Sequence, residues 1–142
     1  MITLANKISK DRLLSFLHEI NDYFSPSLSS KIDIEIYADK IIKNAYIDYI
    51  INEEEIIALL AGYINDESIF ITLFAVNKLF HGKKISTNLL TYNIEKLKKN
   101  NIKKINLEVY KNNKRAIVFY KKFNFEIYKE TNDTYLMSLS IC

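Results

Sequence analysis

Three apolar runs follow one another closely between residues 45 and 76, and only short polar stretches separate them. They cover residues 45–51, 55–65 and 68–76, and they are rich in isoleucine, leucine, tyrosine and phenylalanine. Runs of β-branched and aromatic residues bounded by short polar turns are typical of strands joined by hairpins. The sequence therefore predicts an antiparallel three-stranded meander, around which the other elements have to pack.

Helices and single strands are predicted on both sides of this meander. Apolar residues spaced three and four apart predict helices over residues 10–23, 33–43 and 85–100, and a short helix after Asn113. Strands are predicted over residues 103–110, 125–130 and 134–141. The order ααβββαβαββ describes an α+β fold with one central βαβ crossover. With 142 residues, the chain has the length of one domain, residues 1–142.

Charge is distributed unevenly along the sequence. Residues 1–77 carry a net charge of −6, residues 78–122 carry +11 and residues 123–142 carry −2. A cationic middle section indicates an anionic partner, either nucleic acid or a phosphorylated small molecule, unless its lysines are only solvated helix faces. The aromatic residues of this section fit helix stripes rather than an exposed stacking surface, which disfavours nucleic acid.

The cysteine content and the length of the apolar runs indicate in which cellular compartment the protein is expected. The sequence contains one cysteine, Cys142, so no disulfide can form within the chain. The longest apolar run, residues 56–64, is too short to cross a bilayer, and the first residues do not resemble a secretory signal. We therefore expect a cytoplasmic protein that does not enter a membrane.

The segment after the third predicted strand carries the features of an anion-binding loop. Residues 77–84 are polar, contain Gly82 and three lysines, and lead directly into a predicted helix. The first N–H groups of a helix have no internal partner, and the helix dipole is positive at that end. Glycine lets a ligand approach the backbone closely. The segment predicts a phosphate site, although a lysine-rich loop before a helix is in itself a weak signal.

Two motifs resemble those of the GCN5-related N-acetyltransferase (GNAT) family. Residues 80–90 resemble the frame Tyr-Arg-Gly-Lys-Gly-Ile-Gly-x-x-Leu-Leu, with His81 in place of arginine, and Lys84 and Ser86 in place of glycine. Residues 113–125 resemble Asn-x-x-Ala-x-x-Phe-Tyr-x-Lys-x-Gly-Phe and depart from it only at Asn124. The resemblance extends over essentially the whole chain.

The resemblance implies a fold and a cofactor site. The fold is a mixed central β-sheet with an antiparallel N-terminal meander, a splayed pair of parallel strands and helices on both faces. Acetyl-CoA, the expected co-substrate, would lie between the splayed strands, with its pantetheine arm on residues 74–76 and its pyrophosphate on the amides of residues 81–86. The implied cofactor-binding residues are Phe74, Ala75, Val76, His81, Gly82, Lys83, Lys84, Ile85, Ser86, Asn113, Ala116, Phe119, Tyr120 and Lys122.

The implied reaction is the direct attack of a neutral amine on the thioester of acetyl-CoA. Such a reaction needs a base for the amine, donors for the oxyanion and an acid for the thiolate. Tyr120 is the candidate acid and Glu108 the candidate base, although each also fits a structural role as a core aromatic residue and an exposed strand residue. His81 is expected at the phosphate end of the site, and His18 on the surface.

The function predicted from these motifs is acetyl-CoA-dependent N-acetyltransferase activity on an amine acceptor, without a metal. A catalytically silent CoA-binding protein is the alternative suggested by Lys84 and Ser86, and a nucleic-acid-binding module is a weaker one. The acceptor is a small molecule or a protein amine, and a homodimer is compatible with the sequence. The acceptor itself is not encoded in any recognisable motif.

Overall fold

The computed structural model describes residues 2–5 and 8–142, with side chains from residue 8 onwards. The helices of the described residues are α1 (Lys10–Ile20), α2 (Leu28–Lys31), α3 (Ile34–Asn44), α4 (Ile85–Lys99) and α5 (Lys114–Lys122). The strands are β1 (Ile2–Ala5), β2 (Tyr46–Asn52), β3 (Glu55–Asn65), β4 (Ser68–Val76), β5 (Lys104–Tyr110), β6 (Glu126–Glu130) and β7 (Thr134–Ser140). None of these helices is both long and apolar enough to cross a bilayer.

The predicted meander is confirmed, since β2, β3 and β4 pair in antiparallel order. The bounds of β3 and β4 are those that the apolar runs predict. Two elements were absent from the predicted order. Strand β1 has only four residues and becomes a strand by pairing with β2, and α2 is a single turn of helix. Neither is long enough to show a periodic pattern, so pattern reading could not find them.

All seven strands belong to one mixed sheet with the order β1-β2-β3-β4-β5-β7-β6. Neighbouring strands are antiparallel except for β4 and β5, which are parallel and connected through α4. The fold class predicted from the resemblance is therefore confirmed, with the short N-terminal strand added at one edge of the sheet.

Helices cover both faces of the sheet and bury two separate apolar cores. Helices α1 and α3 pack on one face through residues such as Leu17 and Ile41, which are fully buried. Helices α4 and α5 pack on the other face through residues such as Leu90 and Ile117. Helices α1 and α3 each begin after a residue with a capping side chain. Ser9 and Asp33 accept hydrogen bonds from amides in the first turns of α1 and α3, respectively.

Strand β4 contains a bulge, and its pairing with β5 ends beside it. Ala61 lies opposite Leu73, while Gly62 lies opposite Ile71, so Thr72 is the additional residue of the bulged strand. The parallel pairing with β5 runs from Ser68 only as far as Ile71. Strand β5 continues alongside β7, whereas β4 leaves it, and the two strands part into an open gap. The predicted splay of the parallel pair is present at this point.

A hydroxyl group and a glycine hold the bulge. The Tyr37 hydroxyl on α3 lies 3.0 Å from both the carbonyl oxygen and the hydroxyl of Thr72. Burial raises the pKa of Tyr37 to about 12, so it stays a hydrogen-bond donor at physiological pH. On the opposite strand, a Cβ at Gly62 would lie 2.9 Å from the carbonyl oxygen of Phe70 and from the Ile69 side chain.

A buried polar cluster ties α4 to the sheet. Asp48 on β2 is 1% exposed, and its carboxylate pairs with the Lys96 ammonium of α4 at 3.1 Å. The Tyr46 hydroxyl lies between Asp48 and the buried Asn93, and burial raises its pKa. A buried carboxylate is tolerated only when it is paired and hydrogen-bonded. The cluster therefore orients α4, whose first turn faces the gap between β4 and β5.

We expect Gly62→Ala to lower the free energy of unfolding by about 1–3 kcal/mol, because the added methyl group overlaps backbone that cannot move aside cheaply. Equilibrium unfolding in urea measures the change. Asn65→Ala, at the exposed end of the same strand, is the matched control and should change stability by less than about 0.5 kcal/mol. Equal stability of the two variants would contradict this account of the bulge.

Candidate active site

The gap between β4 and β5 opens into a cavity of about 510 Å³. Four segments form its walls: the end of β4, the loop before α4, the first turn of α4 and one face of α5. Two aromatic residues that follow α1 close it from the side. The lining residues are Tyr23, Phe24, Phe74, Ala75, Val76, Lys78, Phe80, His81, Gly82, Lys84, Ile85, Ser86, Thr87, Asn113, Arg115, Ala116, Phe119 and Tyr120.

The backbone of the loop before α4 is shaped for an anion. Gly82 has φ +79°, and a Cβ there would meet no atom within 4 Å, so the backbone faces open space. Lys84 occupies the N-cap position of α4 with φ +60° and makes no side-chain cap. The amides of residues 85–87 therefore have no acceptor within the helix and face the cavity. Lys78 and Arg115 add positive charge at the same wall.

The two hydrogen bonds of the His81 ring connect the loop to its surroundings. The ring Nε2 lies 2.8 Å from the carbonyl oxygen of Val76, which can only accept, so Nε2 carries the proton. The other nitrogen, Nδ1, then accepts from the Arg115 guanidinium at 3.5 Å. The histidine joins the end of β4 to α5 across the mouth of the cavity.

A second cavity of about 150 Å³ lies on the other side of Tyr120. Its polar residues include Glu108, Tyr110, Lys31 and Thr72. The Glu108 carboxylate accepts a hydrogen bond of 2.7 Å from the Thr134 hydroxyl, which orients it on the open face of β5. This cavity thus holds a carboxylate, while the larger one is bordered by cationic groups.

Tyr120 lies in the wall between the two cavities and lines both of them. Its ring packs among the rings of Phe74, Phe119 and Phe125, with centroid distances of 5.4–6.5 Å. Burial raises the pKa of Tyr120, so the hydroxyl stays protonated well above neutral pH.

A family model described as the acetyltransferase (GNAT) family matches residues 13–125 of the sequence. The chain belongs to the GNAT acetyltransferase family. The predicted family, enzyme class and co-substrate are therefore confirmed. No match was found among the curated proteins.

Solved structures of other acetyltransferases share the fold of this GNAT chain. Arabidopsis thaliana Naa50 in complex with the bisubstrate analogue CoA-Ac-MVNAL is 24% identical, with 98% of each chain covered and a TM-score of 0.76. The ribosomal-protein-S18-alanine N-acetyltransferase from Escherichia coli is 18% identical over 99% of this chain and 94% of its own (TM-score 0.79). The PaiA N-acetyltransferase from Thermoplasma acidophilum in complex with coenzyme A is 15% identical over 99% of each chain (TM-score 0.78). Likeness at these identities establishes the fold.

The fold of this acetyltransferase brings most of the predicted cofactor-binding residues to one cavity. Twelve of the fourteen line the larger cavity, and the exceptions are Lys83 and Lys122. The Lys83 ammonium lies over the Phe80 ring, 5.8 Å from its centroid. Lys122 lines a shallow groove on the outer side of α5 together with Phe119 and Arg115. Glu108 lies apart from the larger cavity and lines only the smaller one.

Asn113 illustrates how local structure limits a predicted role. Its side-chain oxygen accepts a hydrogen bond from the Ala116 amide at 3.2 Å and caps α5. An amide side chain has two donor hydrogens besides this oxygen. For a cofactor in the larger cavity, Asn113 therefore offers its NH₂ group rather than its oxygen.

The list of predicted cofactor-binding residues missed six residues that line the larger cavity. Lys78 and Arg115 had a usable signal, since Lys78 is one of the three lysines of the predicted phosphate site and Arg115 lies within the second motif. Thr87 follows the loop motif directly. Phe80 is the first residue of the loop motif. Tyr23 and Phe24 had no signal, because their position depends on the packing of the segment after α1. The missed residues are Tyr23, Phe24, Lys78, Phe80, Thr87 and Arg115.

We expect Lys84→Gly to be more stable than Lys84→Ala by about 1 kcal/mol, because the left-handed backbone strains every residue with a Cβ. Urea unfolding of both variants measures the difference. Lys83, whose φ is not positive, provides the matched control: there alanine should be the more stable substitution, by about 0.5–1 kcal/mol. The same preference at both positions would contradict the assignment of Lys84 to the family's glycine position.

Proposed function

We propose that this GNAT protein transfers an acetyl group from acetyl-CoA to an amine by direct attack within a ternary complex. The observation that carries the proposal is the shared wall between the two cavities. Phe24, Phe74, Asn113, Ala116 and Tyr120 line both, so ligands in the two cavities would meet at this wall. We include in the proposal that residues 1–142 form one catalytic domain.

The larger cavity suits acetyl-CoA. Its cationic end, with Lys78, Lys84 and Arg115 beside the free amides of α4, complements the phosphates of the cofactor. Among the described residues, no strand pairs with the edge of β4 beyond Ile71 on the side of the gap, so its backbone can hydrogen-bond to the amides of the pantetheine arm. In this arrangement the thioester lies at the shared wall, beside Tyr120.

The smaller cavity suits the acceptor amine. An alkylammonium ion has to lose a proton before its nitrogen can attack, and Glu108 is the carboxylate of this cavity. As the tetrahedral intermediate collapses, the C–S bond breaks and the sulfur leaves as a thiolate. The buried, protonated Tyr120 then donates its proton to that sulfur. Because burial raises the pKa of Tyr120, this residue remains protonated under the conditions in which Glu108 accepts a proton from the amine.

One observation favours a second candidate, a CoA-binding protein without catalytic activity. Lys84 adopts a strained backbone conformation where the family motif has glycine, and Ser86 stands where it has a second glycine. Either side chain could crowd the pyrophosphate. Binding of acetyl-CoA without turnover of any amine would select this candidate, and release of free CoA thiol in the presence of an amine would eliminate it.

We expect acetyl-CoA to raise the midpoint of thermal unfolding, since a ligand that binds only the folded state stabilises it. At about a hundred times the Kd, the gain is about 2.7 kcal/mol. Differential scanning fluorimetry measures the shift. Pantetheine, which lacks the phosphates, is the control ligand and should give a smaller shift. No shift at millimolar acetyl-CoA would refute the cofactor site.

We expect Tyr120→Phe to reduce kcat by about 10²-fold or more, because the leaving thiolate loses its proton donor. The KM for acetyl-CoA should change little, since the ring and its packing are retained. A free-thiol assay with a panel of amines measures both constants. Tyr92→Phe, at an exposed tyrosine of α4, is the matched control and should behave as the wild type. Unchanged turnover of Tyr120→Phe would remove this residue from the mechanism.

A further inference from the structure

The ammonium group of Lys31 lies over aromatic rings in the smaller cavity. Its Nζ atom is 4.6 Å from the centroid of the Tyr110 ring and 5.8 Å from that of the Phe24 ring. All three residues line the same cavity. Aromatic faces attract cations at such distances, and two of them form part of a cage for an alkylammonium ion. A lysine of the chain itself therefore occupies the place that an acceptor amine would take.

The rings, and not an acidic side chain, hold this ammonium group. No carboxylate of the described residues forms an ion pair with Lys31. Lys111 differs in this respect, because its ammonium lies over the Tyr135 ring and is also bound by Glu130 at 2.6 Å. The Lys31 ammonium thus has no ion pair to break before it can move within the cavity.

The backbone places Lys31 at the rim of the cavity. It is the last residue of α2, a single turn of helix anchored by the buried Leu28. Lys31 as a whole is an exposed residue, so packing does not fix its stem in one conformation, and the stem can move toward the shared wall. A lysine stem has four rotatable methylene groups and can shift its terminal nitrogen by several ångströms.

The residues proposed for catalysis surround the same space. Glu108 precedes Tyr110 by two residues on the same face of β5, a separation of about 6.7 Å between their α-carbons. Tyr120 lines the smaller cavity at the wall that it shares with the larger one. The proposed function places the thioester at this wall. The nitrogen, the base and the acid therefore share one small compartment.

We propose that Lys31 is an intramolecular acceptor, and that the protein acetylates its own Lys31 Nζ when acetyl-CoA is bound and no other amine fills the smaller cavity. The inference rests on the proposed function and extends it to a modification site. The inference also predicts the class of external acceptor, which is a primary alkylammonium group on a flexible chain. The Phe24 and Tyr110 rings would bind this group in the same way as they bind the Lys31 ammonium.

The reaction balances without any further reactant. The Lys31 ammonium releases one proton through Glu108 to solvent, and the lone pair of the neutral nitrogen forms a bond to the thioester carbonyl carbon. The C–S bond breaks, and sulfur takes the electron pair. The nitrogen then loses its second proton, and this proton replaces the one that Tyr120 gives to sulfur. The products are an amide at Lys31, free CoA thiol and one proton in solution.

Incubation of the whole protein with acetyl-CoA, without any added amine, tests the inference. Mass spectrometry of the intact chain and of its peptides measures the acetylation rate of each lysine. We expect Lys31 to be acetylated at least about tenfold faster than the other lysines, because its nitrogen lies in the same cavity as the proposed base and can reach the thioester without a bimolecular encounter. The rate should not depend on protein concentration, as befits a reaction within one molecule.

Three controls separate enzymatic from chemical acetylation. Lys31→Arg should abolish the fast modification, while Lys40→Arg should leave it unchanged; Lys40 also lies over an aromatic ring, that of Tyr63, but outside both cavities. Heat-denatured protein gives the chemical background rate. A Lys31 rate equal to that of the other lysines, or equal to that of the denatured chain, would overturn the inference.

The outcome is distinguishable from failure of the proposed function. Thermal shift with acetyl-CoA and CoA release with external amines are measured on the same preparation. Protein that binds acetyl-CoA and turns over an external amine, yet leaves Lys31 unmodified, refutes the self-acetylation alone. Protein that neither binds acetyl-CoA nor releases CoA refutes the function on which the inference rests.

Discussion

The bulge at Thr72 is the feature on which the site depends. One extra residue in β4 changes its register against β3, and β4 stops pairing with β5 directly before this residue. Without the bulge, the parallel pair would continue to close the sheet, and neither cavity would have room between the strands. The Tyr37 hydroxyl and the absence of a side chain at Gly62 are the local conditions that the bulge requires. Beyond Ile71, the backbone of β4 therefore lacks hydrogen bonds to β5, and a ligand can form hydrogen bonds there instead.

The cationic section has two different tasks in the folded protein. Lys96 and three further lysines of this section form ion pairs, and the pair between Lys96 and the buried Asp48 holds α4 in place. Other cations, among them Lys78, Lys84 and Arg115, border the larger cavity. The excess of positive charge therefore indicated the correct sign of charge for the partner. The sequence could not distinguish lysines with a structural role from lysines that border the proposed phosphate site.

Local patterns predicted the elements and the motif residues well. The apolar runs gave the bounds of β3 and β4, and the 3–4 spacing gave α3 and α4, because both signals depend on residues that are close in sequence. Lys84 shows the limit of motif reading. Its departure from glycine suggested a damaged loop, whereas the backbone keeps the left-handed conformation that a glycine would adopt there. The loop retains its shape at the cost of strain in one residue.

The sequence by itself determined the family, the order of the main elements and the donor-side motifs, since these are written in periodicity, turn residues and short spacings. Tertiary structure alone decided where β4 and β5 part, that Tyr120 stands between two cavities, and that Lys31 meets the rings of Phe24 and Tyr110. These features join residues far apart in the chain. They arise from strand register and from contacts between segments that are distant in sequence, such as that of Lys31 with Tyr110. Neither produces a periodic pattern in the sequence.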